Sequence, residues 1–254
     1  MRGWTRLASL LVMALGLAQP ACRAATAEEL ARVQLKLQQV AAPWCERLAE
    51  RGADGRKRCT IQIKTLSTEQ ARAFSFLGSV IVTQPMLAEL SEPELALMAG
   101  HEFAHLVLGH PLAGASMGGV SGDLRTLVER TGVPPRDDAP KDRLQMELDA
   151  DRLGLFFAGL AGYPVQQLAQ DWPALIARLP VKPQTGDDTH PSVDARAALL
   201  LDAAKEFCTR GQRGEPLMPT LERLQPRYET DIDALREQQA HLPILTVCRR
   251  PTAR

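Results

Sequence analysis

The chain has no excess of charge of either sign: its 254 residues hold 30 Lys and Arg against 30 Asp and Glu. That balance gives no electrostatic case for a nucleic-acid partner. It also has no apolar run of about 20 residues, the length a membrane-spanning helix needs, so no transmembrane segment is expected in the mature chain. Five cysteines are present but no C-x-x-C pair, which argues against a cysteine-based zinc cluster. No internal repeat divides the sequence. With 45% hydrophobic residues it can bury one full core, and its length suits one domain better than two.

The first residues differ from the rest. Arg2 and Arg6 precede an almost unbroken apolar stretch from Leu7 to Ala18, followed by Gln19, Pro20 and mostly small residues up to Ala25. This is the layout of a secretory signal peptide, expected to span residues 1–24 with cleavage after Ala24. The mature chain, 25–254, would then be a single domain with its core at about 61–207 and a C-terminal helical tail at 208–254. Its expected location is periplasmic or secreted. A lipoprotein anchored through Cys22 is the poorer alternative, because Gln19 and Pro20 do not suit such a signal. Loss of Arg2, Arg6 and Arg23 leaves 27 basic against 30 acidic residues, still no case for nucleic acid.

Removing the leader leaves Cys45, Cys59, Cys208 and Cys248, an even number in a chain addressed to an oxidising compartment, which predicts two disulfides. Three connectivities are possible. The pairing nearest in sequence, Cys45 with Cys59 and Cys208 with Cys248, closes two local loops worth about 3 and 4 kcal/mol in chain entropy.

Leu30, Val33, Leu37 and Val40 mark one face of an amphipathic helix over Ala27 to Val40. The stretches Cys59 to Leu66 and Phe74 to Thr83, the latter around Gly78, each read as a strand, neighbours in a small sheet. Ser91, Pro93 and Glu94 form a helix start, with Ser91 as N-cap and Glu94 as its capping-box partner, for a helix reaching about His110. Between Pro111 and Pro140 the many Gly, Ser, Pro and Asp residues predict a long irregular excursion of the kind that serves as a lid. Further helices are expected from about Asp142 to Leu160, from after Pro191 through Phe207, and from about Tyr228 to Gln239. Cys248 offers a tie back to the helix that carries Cys208.

The chemistry concentrates in His101-Glu102-Phe103-Ala104-His105. On a helix the two histidines sit one turn apart on one face, where their ring nitrogens can meet a single metal ion. Glu102 points sideways from that pair, where a carboxylate can take a proton from a water on the metal; zinc brings the pKa of such a water towards about 7. The reaction served is hydrolysis of a carbonyl, usually that of a peptide. Leu95, Met98, Phe103, Leu106 and Leu108 make this helix apolar nearly all round, so His and Glu on it need partners. A third histidine six residues after His105 would mark a metzincin, but Pro111 stands there and His110 falls one short. His110 itself suits a structural role at the helix end, where a cation favours the dipole.

The third ligand is sought in the helix that follows. Leu144, Leu148 and Leu155 define its apolar stripe; Asp151 lies on that stripe and Glu147 at its margin, one turn earlier. Acids turned toward a core require a cation or a donor. Glu147 is therefore expected as the third zinc ligand. Asp151 is expected to bond a ligand histidine's other nitrogen and fix its tautomer.

With these residues in view, the chain resembles the gluzincin peptidases that include CAAX prenyl endopeptidases, HtpX-type heat-shock proteases and soluble periplasmic BepA/LoiP-like proteases. These share H-E-x-x-H followed by E-x-x-A-D, matched here by His101 to His105 and by Glu147, Ala150 and Asp151. The likeness runs from about Ile61 to Leu201. It includes Ala73 to Thr83, similar to the strand the family places above the zinc to pair with extended substrate, and Thr189-His190-Pro191 with Arg196. It departs at Arg72, where many members have Asn, and at Ser79, which replaces a second Gly; both bear on the substrate edge rather than the metal site.

The resemblance implies an α+β, mainly helical zincin-type domain with a small sheet beside the H-E-x-x-H helix. It implies one zinc ion per chain, and substrate pairing along Val80, Ile81, Val82 and Thr83. It further implies a place near the zinc for His190, as oxyanion stabiliser or as a gating fourth ligand, and for Arg196 a carboxylate partner such as Asp151 or substrate. The expected activity is zinc-dependent endopeptidase cleavage of unfolded or misassembled envelope proteins, with outer-membrane assembly machinery a possible partner. The alternative from another class is a zinc-containing chaperone or assembly factor with a gated site.

Overall fold

The computed structural model of the chain describes residues 24–49, 62–76, 79–108, 110, 140–180, 191–217 and 242–249. In chain order the elements are α1 (Ala27–Ala49), β1 (Gln62–Leu66), β2 (Ala73–Phe76), β3 (Ser79–Thr83), α2 (Gln84–Glu89), α3 (Glu92–Leu108), α4 (Pro140–Leu160), α5 (Val165–Arg178), α6 (Val193–Arg213) and α7 (Ile244–Val247). The architecture is α+β and mainly helical, with one small sheet.

Local chemistry sets the helix ends. In α1 the Thr26 hydroxyl accepts from the Glu29 N–H at 3.2 Å, while the Glu29 carboxylate accepts from the Thr26 N–H at 2.7 Å, a reciprocal capping box. At α3 the Glu94 carboxylate accepts from both the N–H and the hydroxyl of Ser91, at 2.9 and 2.6 Å, and from Arg178 at 2.6 Å. That last bond joins the start of α3 to the end of α5. Gly162, at φ 88°, closes α4 in the left-handed conformation that favours glycine, as the Tyr163 N–H reaches back to the Ala158 carbonyl at 3.0 Å. The Ser192 hydroxyl caps α6 by accepting from the Ala195 N–H at 3.1 Å.

The sheet corrects the reading of Phe74 to Thr83 as one strand. It is a hairpin, β2 against β3, antiparallel, with Phe76 opposite Ser79 and Ala73 opposite Val82. Both arms carry the aromatic and β-branched residues of a strand, so composition alone did not expose the reversal; Gly78 was the available signal. β1 pairs with β3 in parallel, Gln62 opposite Ser79 through Leu66 opposite Thr83, giving the order β1-β3-β2.

Around this sheet the helices form the core. α3 packs along α4 and also meets α1, β2 and β3, while α6 packs against both α4 and α5. α3 is buried through most of its length, from Leu95 to Val107, consistent with its apolar character on all sides. Val33, Leu37 and Val40 bury the stripe of α1; the helix itself runs to Ala49, nine residues beyond Val40. α2 and α5 have no counterpart in the sequence reading. Cys208 on α6 is disulfide-bonded to Cys248, with Cα atoms 5.5 Å apart, which ties α7 to α6. Cys59 and the side chain of Cys45 lie outside the described residues, as do the leader, the excursion at 111–139 and the helix expected near 228–239. No helix among the described residues is long and apolar enough to cross a membrane.

Candidate metal centre

The centre depends on how closely α3 and α4 approach. Gly100 and Gly154 face each other across the two helices: a methyl carbon on Gly100 would lie 2.7 Å from the Gly154 carbonyl oxygen, and one on Gly154 would lie 2.6 Å from the His101 nitrogen. Only two glycines allow this backbone contact. Glu147, Asp151 and Gly154 stand at helical spacings of four and three, so one face of α4 is laid directly against His101.

His101 and His105 turn their Nε2 atoms toward each other, 3.1 Å apart. The Glu147 carboxylate completes the triangle, with 3.5 Å from His101 Nε2 to Oε2 and 3.5 Å from His105 Nε2 to Oε1. Ligands about 2.05 Å from a tetrahedral zinc stand about 3.3 Å from one another. The three edges match that figure, and His101, His105 and Glu147 form a group able to hold a metal ion, their donor atoms all within 4.8 Å of one another.

Behind the donors lies a second layer. Asp151 Oδ1 is 2.9 Å from His101 Nδ1, and Arg196 grips the same carboxylate with Nε to Oδ2 at 2.7 Å and Nη2 to Oδ1 at 2.5 Å. Arg196 in turn lies over the Trp172 ring, 4.8 Å from its centroid. His110, just past the end of α3, places its Nδ1 2.9 Å from Nδ1 of His105. Sequence reasoning gave His110 only a helix-end role. Its spacing from His105, five residues and across the end of the helix, follows no helical period that would have revealed the contact.

Charge shapes the centre strongly. Burial opposes a cation on His101, but hydrogen bonds and charge from Asp151 and Glu147 outweigh it and lift its pKa to about 10. Burial lowers His105 to about 3, and the neighbouring His101 and His110 act in the same direction against Glu147. Burial works against ionised Glu147 as well, yet the two histidines hold its carboxyl well below the usual range. Glu102 is pushed up to about 7, chiefly by burial and also by the nearby Glu147 charge, against the pull of His101 and of hydrogen bonding from Ser75. A buried carboxyl poised near neutrality is suited to taking and returning a proton.

The remaining expected site residues are placed as follows. Val80, Ile81, Val82 and Thr83 form β3, the middle strand, whose two edges are taken by β1 and β2. They cannot pair with an added strand, which corrects the expected substrate edge. Among the described residues the sheet edge left open on the α3 side is that of β2, which packs on α3 and carries Ser75 toward Glu102. His190 lies outside the described residues.

Fold and site together define a metallopeptidase. The model of peptidase family M48 matches residues 9–133, just under half of the chain, which is similar to that family over this segment. The matched segment contains His101, Glu102 and His105 but ends before Glu147, so the third donor rests on the geometry of α4 rather than on the match. A search of curated proteins found no match to the chain.

Proposed function

We propose that the chain is a zinc-dependent metalloendopeptidase whose ligands are His101, His105 and Glu147 and whose general base is Glu102. The observation that carries this reading is the triangle of three donors at tetrahedral spacing with a buried carboxylate on the adjoining position of the same helix. When bound, a zinc ion supplies Lewis acidity for the scissile carbonyl and lowers the pKa of water towards about 7.

The residues of the chain do the rest. Asp151 fixes the His101 ring through Nδ1 and is itself held by Arg196, so Nε2 stays aimed at the donor triangle. Extended substrate adds to the outer edge of β2, where backbone pairing aligns it without demanding a particular side chain. Along β2, Arg72 already exchanges bonds with Thr83, and the alternation of an antiparallel ladder turns the N–H and C=O groups of Ala73 outward, while the Ser75 N–H, also turned away from β3, is held by the Glu102 carboxylate. Glu102 takes the proton of the attacking water and returns it to the leaving amine.

Unfolded or misassembled envelope proteins are the proposed substrates, since edge pairing requires an extended chain. The proposed location is the periplasm or the exterior, after removal of residues 1–24; the Cys208–Cys248 disulfide supports an oxidising compartment. The test compares the zinc-loaded protein with Glu102→Gln on an unfolded protein substrate. Cleavage by the wild type, with zinc retained and cleavage lost in the variant, is expected. Equal cleavage by both would remove Glu102 from the mechanism, and none by either would remove the peptidase reading.

A further inference from the structure

The two ring nitrogens of His105 have different neighbours. Nε2 belongs to the donor triangle, and Nδ1 lies 2.9 Å from His110 Nδ1. The main chain reinforces that pairing, because the His110 N–H donates to the His105 carbonyl at 2.9 Å and the rings stand edge to face with centroids 5.0 Å apart. A separation of 2.9 Å between two nitrogens is a hydrogen-bond length, so one of them carries the proton and the other accepts it. A neutral imidazole that ligates through Nε2 has its proton on Nδ1. His105 is then the donor, and His110 accepts as the neutral Nε2–H tautomer.

We infer that His110 is a positioning residue for the metal site: it accepts the Nδ1 proton of His105 and fixes that ring, as Asp151 does for His101. The inference rests on the zinc reading above and adds a residue to it. The two supports differ in charge for a physical reason. Among the described residues the centre already holds Glu102, Glu147 and Asp151 against Arg196, and a divalent ion balances that set. A neutral acceptor behind His105 orients the ring without adding a further negative charge to a buried site. Its position also explains why it belongs to no helix face. His110 follows the last turn of α3, where the chain folds back far enough to bring its ring beneath His105.

The experiment measures the zinc dissociation constant by competition with a chelating dye for the wild type, His110→Ala and His110→Gln. Thermal unfolding of each in excess chelator is recorded in parallel. The expected result is zinc binding weakened roughly ten- to hundredfold in His110→Ala. It should be partly restored in His110→Gln, whose amide oxygen can accept the bond, with similar unfolding temperatures in chelator. Unchanged zinc affinity in His110→Ala overturns the inference. So does a loss of affinity that glutamine does not relieve, or one that simply follows lowered stability in chelator. If His110→Ala does not fold, His110→Phe, which keeps a ring and removes the acceptor, carries the same comparison. A wild-type chain that takes up no zinc overturns the metal reading itself, an outcome separate from the case in which wild type binds and the variant binds equally.

Discussion

Asp151 shows how one carboxylate serves both the site and the fold. Burial works against its charge, but Arg196 and His101 outweigh it and hold its pKa below the ordinary 3.8. A carboxyl with a depressed folded pKa contributes stability that is present above pH about 4 and is lost as pH falls through the folded value. Asp151→Asn should therefore lower stability at pH 7 by about 3–5 kcal/mol, because it leaves buried Arg196 uncompensated. It should also flatten the decline below pH 4, as checked by denaturant titrations at pH 7, 5 and 3.5. The same variant should weaken zinc about ten- to hundredfold. Glu102 runs in the opposite direction. Its carboxyl is raised to about 7, mainly by burial, and must be ionised to act as base. A divalent cation nearby draws that value down, so the acidic limb of kcat/KM should fall below pH 7, with activity rising as pH increases through it. A pH–rate profile flat from pH 5 to 8 would count against Glu102 as the base.

Single residues were legible in the sequence where a helical period carried them. His101 and His105 share a face at i, i+4, and Asp151 declared itself as an acid on an apolar stripe. His110 did not, because its contact forms after the helix ends. The strand that should receive substrate was placed one strand too far along, since a tight hairpin and a continuous strand have nearly the same composition. At the scale of elements, α5 was not expected; it starts directly after Pro164 and contains Pro173, two residues that disfavour a helix interior. Pro164 instead caps the helix, and Pro173 lies on its exposed side. Proline at a helix start costs little, and the loss of one donor on a solvated face is offset by the burial of Leu168, Trp172, Leu175 and Ile176. What the sequence could not express at all was the contact of α3 with α4. Gly100 and Gly154 look like ordinary interior glycines, and their use appears only when two backbones meet. Gly154→Ala should force those helices apart. The expected loss is about 1–3 kcal/mol in chelator, with a further loss of zinc affinity as Glu147 withdraws from the histidines. Calorimetry and zinc competition on one sample separate the two effects, and a variant that binds zinc like the wild type would show that the close approach is not what sets the donor triangle.

Over the whole molecule, the site and the tail are held by different means. The donors sit on α3 and α4, among the most buried parts of the chain, whereas α7 is a single turn joined to the rest by Cys208–Cys248, by Ile244 packed over Gly211 and by buried Val247. A loop closed over a separation of 40 residues restricts the unfolded chain by roughly 4 kcal/mol of entropy. Reduction, or replacement of both cysteines by serine, should lower the unfolding temperature by about 10 °C for a protein of this size. Zinc affinity and kcat of the folded fraction should stay unchanged at 25 °C, because the bond joins α6 to α7 whereas the donor triangle lies on α3 and α4. If reduction abolished zinc binding while the protein remained folded, the tail would have to reach the centre by a route other than stability, and the separation of anchor from site argued here would fail.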